Sequence, residues 1–224
     1  MRLESVNIGK IQTKPWRSGT PTALNKQAVK SLVEVRFMGL VGDQQADTNN
    51  HGGADKAVFL MPAENYARFK INQPYGFLGE NLTISGLDEK QVCLGDRLQI
   101  GSVLLEVSQP RSPCWKLGEQ AISQEAWDSR STFLNVYSDS GRVGFYCRVL
   151  EEGLLQKGHA ITWLPALHTQ SESGNQPFSI HDLFLAKQFH RTEKEWLLLK
   201  SVVEHPALSE SWREAIKNLL QNHN

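Results

Sequence analysis

The sequence predicts a mainly β fold with α-helices, in which a β-barrel is followed by a small helical bundle. Three observations lead to this prediction. Short strand-like segments joined by glycine-bearing turns run to about residue 165, a polar stretch rich in turn formers follows, and helical spacing begins at Ser179. We expect a closed or nearly closed barrel over residues 1–167, a linker over 168–178 and three helices over 179–224.

The clearest strand signal is a hairpin over residues 97–107. Segments RLQI and VLLEV flank the dipeptide Gly101-Ser102, which suits a type II′ turn whose twist matches that of its strands. Further strands are predicted over residues 3–8, 31–37, 56–61, 81–84 and 142–150.

Helices are predicted first over residues 62–69 and 123–130, and then in the tail. Ser179 can cap a helix that runs to about residue 190, and Thr192 with Glu195 forms a capping-box signature. A third helix begins at Ser209. One face of it carries Trp212, Ala215, Ile216, Leu219 and Leu220. About fifty residues are marginal alone, so we expect this bundle to dock on the barrel or on a second copy of the chain, as in a homodimer.

Charge and hydrophobicity exclude several classes of protein. The 224 residues carry 24 Lys plus Arg and 24 Asp plus Glu, so no bulk positive field is available to bind a nucleic-acid polymer. No run of about 18 apolar residues and no signal-peptide core is found, which predicts no membrane span and a cytoplasmic location. A local basic pocket stays compatible with this balance.

The three cysteines predict neither a disulfide framework nor a structural zinc site. Cys147 lies on the apolar face of an alternating strand, and Cys93 lies between Val92 and Leu94, so both are interpreted as core residues. Cys114 differs, because two prolines stiffen its loop directly after a strand, and Arg111 and Lys116 flank it. This setting favours the thiolate; the alternative is a buried thiol in a proline-rich turn.

Two glycine-bearing stretches are candidates for ligand contact. Residues 39–43 (GLVGD) and 51–56 (HGGADK) allow backbone N–H groups to approach a ligand, and Lys56 can meet an anionic group. The Walker spacing is absent. His51 is a candidate for direct ligand contact, although His51 and Asp55 can equally hold the loop together. In residues 77–84, Asn81 and Thr83 can hydrogen-bond a heterocycle or phosphate, or cap a turn.

Four of these motifs in order, GLVGD at 39–43, HGGADK at 51–56, GENLT at 79–83 and PRSPCWKL at 110–117, resemble the MOSC family, which is named for the C-terminal domain of molybdenum-cofactor sulfurase. The likeness spans residues 1–165. The helical tail resembles the three-helix domain of the stand-alone bacterial YiiM-type members. The resemblance implies a MOSC-type β-barrel that binds the molybdenum cofactor, a pterin with a dithiolene and a phosphate.

The resemblance also assigns roles to residues. Cys114 would ligate molybdenum and act in catalysis, in keeping with a soft thiolate on a sulfur-rich metal centre. Lys56 and Arg111 would neutralise the phosphate, Asn81 and Thr83 would hydrogen-bond the cofactor, and Arg142 is carried over as a further binding residue. Catalytic relatives reduce N-hydroxylated compounds, such as 6-hydroxylaminopurine, to amines in a detoxification role.

The sequence also bears on the source of electrons and leaves two alternative functions for Cys114 open. Three dispersed cysteines cannot supply a Cys₄ cluster, so an external reductase is the expected electron donor. The first alternative is a sulfur carrier or cofactor-binding module that holds a persulfide on Cys114. The second is a cysteine hydrolase that pairs Cys114 with His51, which needs the two side chains within about 3.2 Å of each other.

Overall fold

A computed structural model describes residues 1–47, 52–123, 127–166 and 178–223 of the chain. Within these residues the chain alternates short strands with short helices. The strands are β1 (Arg2–Ile8), β2 (Gln12–Lys14), β3 (Thr20–Thr22), β4 (Gln27–Ala28), β5 (Val33–Arg36), β6 (Gly39–Leu40), β7 (Val58–Pro62), β8 (Leu82–Ser85), β9 (Arg97–Ile100), β10 (Val103–Pro110), β11 (Phe145–Glu151), β12 (Gly153–Leu155) and β13 (Ile161–Leu164). The helices are α1 (Glu64–Arg68), α2 (Trp115–Ile122), α3 (Arg130–Asp139), α4 (Ile180–Phe189), α5 (Glu193–Val202) and α6 (Glu210–His223).

One large sheet organises the first part of the chain. Eight strands pair in the order β13-β9-β10-β11-β7-β8-β1-β4, and a three-stranded sheet (β12-β5-β6) and a two-stranded sheet (β2-β3) accompany it. The predicted hairpin is β9 and β10, in which Val103 pairs with Ile100. β7 and β8 run parallel, because α1 forms the crossover between them.

The mainly β fold with α-helices is confirmed, but in the described residues the strand pairing does not close into a full barrel. β4 pairs only with Asn7 and Ile8 at one end of β1, and the other end of β1 meets the residues before β13. There Arg2 bridges Ala160, and the Leu3 amide donates to the His159 carbonyl over 2.9 Å. The sheet therefore curls until β1 approaches β13, but the single bridge between Arg2 and Ala160 is too short to complete the ring.

In the tail the helices begin at the predicted cap residues, whereas the two helices predicted earlier in the chain have other boundaries. The Ser179 hydroxyl accepts from the Asp182 amide at the start of α4, and Thr192 with Glu195 forms the capping box of α5. Pro62 ends β7 instead of opening α1, so that helix is shorter than predicted. The helix predicted over 123–130 is wrong for residues 127–129, because the Ser129 hydroxyl accepts from the Thr132 amide and so begins α3 at Arg130.

Two hydrophobic clusters form the core. One fills the inside of the curled sheet, with Leu60, Leu82 and Phe145 fully buried. The other joins the sheet to the helices and contains Phe69, Tyr137, Phe184, Leu199 and Ile216. Backbone bonds tie the tail to the sheet, including the Ile180 amide to the Val92 carbonyl and the Ser209 amide to the Ser108 carbonyl. The tail therefore docks on the sheet, one of the two arrangements that were predicted.

The predicted boundary between barrel and tail lies mostly outside the described residues. Of the linker over 168–178, the structure describes Phe178 alone, and its carbonyl accepts from the Leu94 amide. Among the helices that are described, none combines the length and the apolar character needed to cross a bilayer.

Candidate functional site

A cavity of about 90 Å³, open to solvent, lies where the proline-rich loop after β10 meets the loops around β3, β6 and β7. It brings together four of the predicted site residues, namely Lys56, Asn81, Arg111 and Cys114. Its lining includes four basic side chains and one carboxylate among the described residues. These are Lys26, Lys56, Arg111 and Lys116, with Asp47. The cavity wall is therefore suited to an anionic ligand.

Cys114 is partly buried and occupies the N-cap position of α2, with extended backbone angles φ −113° and ψ 163°. A helix begins directly after it. The N-terminus of a helix carries partial positive charge, which stabilises a thiolate. Arg17 stacks on the neighbouring Trp115 at 3.8 Å, and Lys116 Nζ donates to the Pro21 carbonyl over 3.0 Å. These contacts fasten the cysteine loop to the N-terminal part of the chain.

The other two cysteines lie away from this cavity. Cys147 is fully buried, and burial raises the pKa of its thiol well above the ordinary value. Burial, together with Asp96 and Asp182, raises the pKa of Cys93 to about 12. Both groups stay protonated thiols at neutral pH, which agrees with their interpretation as core residues.

Arg111 forms one inner wall of the cavity and is only 4% exposed. Its Nη1 donates to the Tyr137 hydroxyl over 3.2 Å, and its guanidinium lies 5.1 Å from the centre of the Phe59 ring. Burial opposes its charge, but Tyr137, Cys114 and Tyr146 together raise the pKa of Arg111 above its ordinary value. The structure thus fixes a permanent positive charge beside the thiol.

A buried ion pair holds the opposite wall. Lys26 Nζ donates to both oxygens of Asp43 at 2.6 Å, and the two side chains are 8% and 6% exposed. Asp43 also accepts from the Gly9 amide over 2.6 Å and from Asn81 Nδ2 over 2.9 Å. Burial lowers the pKa of Lys26, and Asp43 works against that change. Asp43 therefore connects three separate loops by accepting hydrogen bonds from each of them.

Asn81 and the GLVGD motif hold Asp43 in position. Asn81 Oδ1 accepts from the Phe59 amide over 3.1 Å, so both ends of its amide are engaged by the protein. Gly39 has φ +120°, and a Cβ there would come within 2.7 Å of the Ala57 carbonyl. The GLVGD motif is thus a tight turn that delivers Asp43 to Lys26 and Asn81.

Lys56 ends a short 3₁₀ turn, Ala54–Lys56, that begins after Gly53 at φ +96°. Burial lowers the pKa of Lys56, while Asp55 and Asp47 oppose the change. Asp55 itself anchors the turn, because its Oδ1 accepts from Arg148 Nη2 over 2.7 Å and its Oδ2 from the Glu210 amide over 3.2 Å. Asp55 thus holds the loop together, one of the two alternatives that the sequence left open.

Two predicted site residues lie elsewhere. Thr83 is fully buried and does not line the cavity; its hydroxyl donates to Glu80 Oε1 over 2.8 Å. Arg142 pairs with Asp88 over 2.6 Å and with Glu89 over 3.5 Å at the start of β11, also away from the cavity. Thr83 and Arg142 therefore each bind neighbouring carboxyl groups within the fold. His51 lies outside the described residues.

Tyr146 and Lys26 are among the residues of the cavity wall that sequence reasoning missed. Tyr146 lies on the face of β11 opposite the core residue Cys147, and the strand alternation that identified Cys147 as core would have found it. Lys26 carries no local signal, because only the folded chain brings it to Asp43. Within the described residues, no cluster of three or more His, Cys, Asp or Glu side chains forms a metal site.

Comparison with known proteins identifies the family of the chain. The MOSC domain family model matches residues 47–162, more than half of the chain. The protein is 35% identical over 214 residues to the uncharacterized protein YflK of Bacillus subtilis, covering 93% of this chain and 90% of YflK. It is 32% identical over 170 residues to a protein of Gibberella moniliformis named reductase, covering 72% of this chain and 29% of that one.

A solved structure agrees over almost the whole length. The crystal structure of YiiM from Geobacillus stearothermophilus superposes with a TM-score of 0.75 at 30% identity and covers 98% of both chains. The likeness therefore includes the helical tail as well as the sheet. On the family match and the nearly full-length relatives together, the chain belongs to the MOSC domain family.

Proposed function

We propose that this protein binds the molybdenum cofactor in the Cys114 cavity and reduces N-hydroxylated compounds to amines. The observation that carries the proposal is a partly exposed thiol at a helix N-terminus, on the wall of a cavity lined by four basic side chains. The related protein named reductase supports a redox reaction, and MOSC membership supports the cofactor.

The residues of the cavity fit such a cofactor. A thiolate is a suitable ligand for a soft, sulfur-rich metal centre, and ligation requires the deprotonated form that a helix N-terminus favours. Lys56, Arg111 and Lys116 supply positive charge for an attached phosphate. When bound, the cofactor supplies a redox-active metal that accepts and returns two electrons.

The chain's own residues hold and shield the group. Arg111 is held in position beside Cys114 by its contacts with Tyr137 and Phe59, and it therefore needs no movement when a ligand arrives. Asn81 acts as a positioning residue, because its amide holds Asp43 and the Phe59 amide. Lys26 is fixed by Asp43 at the rim of the same space.

The overall reaction consumes two electrons and two protons. An R–NHOH substrate gives R–NH₂ and water as the N–O bond breaks, so a separate reductase must supply the electrons. That partner is part of the proposal. Substrate preference for purines such as 6-hydroxylaminopurine rests on the family resemblance.

Metal analysis of matched cysteine variants tests the proposal. Wild type, Cys114→Ala and Cys93→Ala are purified from cells that make the cofactor, and molybdenum per chain is measured by mass spectrometry. We expect metal in wild type and Cys93→Ala and its loss in Cys114→Ala, with loss of 6-hydroxylaminopurine reduction by a chemical donor. Circular dichroism checks that both variants fold. Metal-free wild type with undiminished activity in Cys114→Ala would refute the proposal.

The same preparations address sulfur carriage. A persulfide on Cys114 adds about 32 Da, the mass of one sulfur atom, and is removed by a thiol reductant. Intact-mass spectrometry of wild type that shows this adduct in place of molybdenum would favour the sulfur-carrier function over reduction.

A further inference from the structure

One surface near the start of the chain is strongly basic, although the chain as a whole is neutral. Residues 5–33 contain five lysine and arginine residues and no aspartate or glutamate. Lys26 is buried in its ion pair at the cavity wall. Lys10 and Arg17 are exposed, and Lys14 is partly exposed. Because positive and negative residues balance over the whole chain, this segregation concentrates positive potential on one surface.

This segment reaches the Cys114 cavity at two places. The hairpin of β2 and β3 leads into residues 22–24, which line the cavity. The Ile11 amide, next to Lys10 in the chain, donates to the side-chain oxygen of the cavity residue Gln44 over 2.9 Å. The basic surface therefore borders the opening of the cavity.

The tip of the hairpin lies against the residue that follows the thiol in the chain. Trp16 and Trp115 meet edge to face with ring centres 6.5 Å apart, and the Arg17 guanidinium lies 3.8 Å from the centre of the Trp115 ring. Arg17 and Ser18 have φ of 46° and 65°, a left-handed conformation that residues other than glycine rarely adopt. The fold thus places an exposed cation on the side chain next to Cys114.

Apolar side chains accompany these charges. Ile11 is 48% exposed, and Trp16 is partly exposed. Aromatic and apolar groups surrounded by charge are typical of a protein-binding surface, and the charges accelerate encounter with a partner of opposite sign. A nucleic-acid polymer is disfavoured, because the chain carries no net positive charge. We define the hairpin face as Lys10, Ile11, Lys14, Trp16 and Arg17.

We propose that the hairpin face is the docking surface for the electron donor, an acidic electron-carrier protein. The inference rests on the proposed reductase function, in which each turnover takes two electrons from outside the chain. The docked carrier is oxidised by two electrons, and two protons from solvent complete the conversion of R–NHOH to R–NH₂ and water. A carrier on this face stands beside Trp115, next to Cys114, so that its electrons have a short route into the cavity.

Charge reversal on the hairpin face tests the proposal. Wild type is compared with the hairpin variant, Lys10→Glu combined with Lys14→Glu, and with a tail control, Lys200→Glu combined with Lys217→Glu. The control lysines are exposed on α5 and α6, and their reversal changes the net charge equally. Arg17 is left unchanged because it contacts the cysteine loop. Reduction of 6-hydroxylaminopurine is driven either by clarified cell extract with NADPH or by reduced methyl viologen, a small donor that needs no docking surface.

The two electron sources give different results for the two proposals. With extract at low ionic strength, we expect the hairpin variant to be about tenfold slower than wild type and the tail control, and the difference to shrink as salt screens the charges. With viologen the three proteins should be equally active. Equal extract-driven rates in the two double variants, or no extract-driven turnover by wild type, overturns the docking surface. Wild type that is inactive with viologen refutes the reductase function, and this inference with it.

Binding measurements identify the occupant of the hairpin face. Fluorescently labelled poly-L-glutamate should bind wild type and the tail control more tightly than the hairpin variant. Phosphatidylserine vesicles and a DNA duplex are titrated in parallel. If either binds wild type more tightly than polyglutamate and loses affinity in the hairpin variant, the face belongs to a membrane or a nucleic acid and the donor assignment is overturned.

A second variant keeps the test valid if charge reversal disturbs the fold. Lys10→Gln combined with Lys14→Gln removes the two charges without reversing them, and thermal unfolding checks the stability of every variant. We expect this variant to lose less extract-driven activity than the Glu variant and to keep full activity with viologen. Unchanged extract-driven activity in a folded Gln variant would count against the docking surface.

Discussion

Buried carboxyl groups are compensated in two different ways, one at the wall of the Cys114 cavity and the other in the sealed region behind it. At the cavity, Asp43 is buried as one half of an ion pair with Lys26. Behind it, Glu80 is fully buried and accepts on Oε1 from the Tyr66 hydroxyl and the Gly76 amide, both neutral donors over 2.7 Å. Burial raises the pKa of Glu80, although the hydrogen bonds from Gly76, Tyr66 and Thr83 act against that change.

The difference shows which polar residues are available to a ligand. Charge persists at the cavity wall, where a paired cation or an anionic ligand can balance it. In the sealed region, Glu89 accepts from Asn65 over 2.7 Å and from the Gly144 amide over 2.8 Å, and burial raises its pKa as well. Thr83 and Arg142, which lie beside these acids, therefore stabilise the fold through them.

Breaking the ion pair at the cavity wall should have the largest effect on stability. Asp43→Ala leaves Lys26 buried without its counter-ion and removes the acceptor of Gly9 and Asn81. We expect the free energy of unfolding to fall by about 3–5 kcal/mol in a urea titration.

The matched control is the exposed pair between Arg36 and Glu34, whose side chains are 62% and 46% exposed. Glu34→Ala should change the free energy of unfolding by about 0–1 kcal/mol. Equal losses in the two variants would show that burial does not distinguish these pairs.

A smaller effect is expected in the sealed region. Thr83→Val keeps the shape of the side chain but removes the donor to Glu80 Oε1 and the acceptor of Asn7 Nδ2. We expect a loss of about 1–3 kcal/mol in the free energy of unfolding. Because Thr83 does not line the cavity, molybdenum content should equal that of wild type. A selective loss of metal in this variant would return Thr83 to the binding site.

The smallest effect should be a change in pH dependence. The raised pKa of Glu80 means that the folded state keeps a proton which the unfolded chain releases above the ordinary value of 4.5. Its contribution to stability is therefore complete below that pH and is lost as the pH rises towards the folded-state pKa. Glu80→Gln cannot titrate, so its stability should decline less over this window, as measured by urea unfolding at successive pH values. Parallel curves for wild type and variant would contradict a raised pKa of Glu80.

The predictions from sequence succeeded where the signal was local. The hairpin at Gly101 and the caps of α4 and α5 depend on neighbouring residues, and all three are present as predicted. Cys114 was distinguished from Cys93 and Cys147 by its prolines and flanking charges, and the three differ in burial accordingly. Full closure of the sheet depends on distant contacts and is not reached, and a competing cap at Ser129 starts α3 later than predicted.

The candidate site shows the same division. The sequence by itself determined the mainly β fold, the helical tail, the family motifs and the loop that carries Cys114, because alternation, caps and proline stiffness act over a few residues. Only the tertiary structure decided that Lys26 joins the cavity and that Thr83 and Arg142 do not. A polar residue's partner is chosen by where the chain brings it in space, and the energetic penalty for an unpaired buried charge enforces that choice.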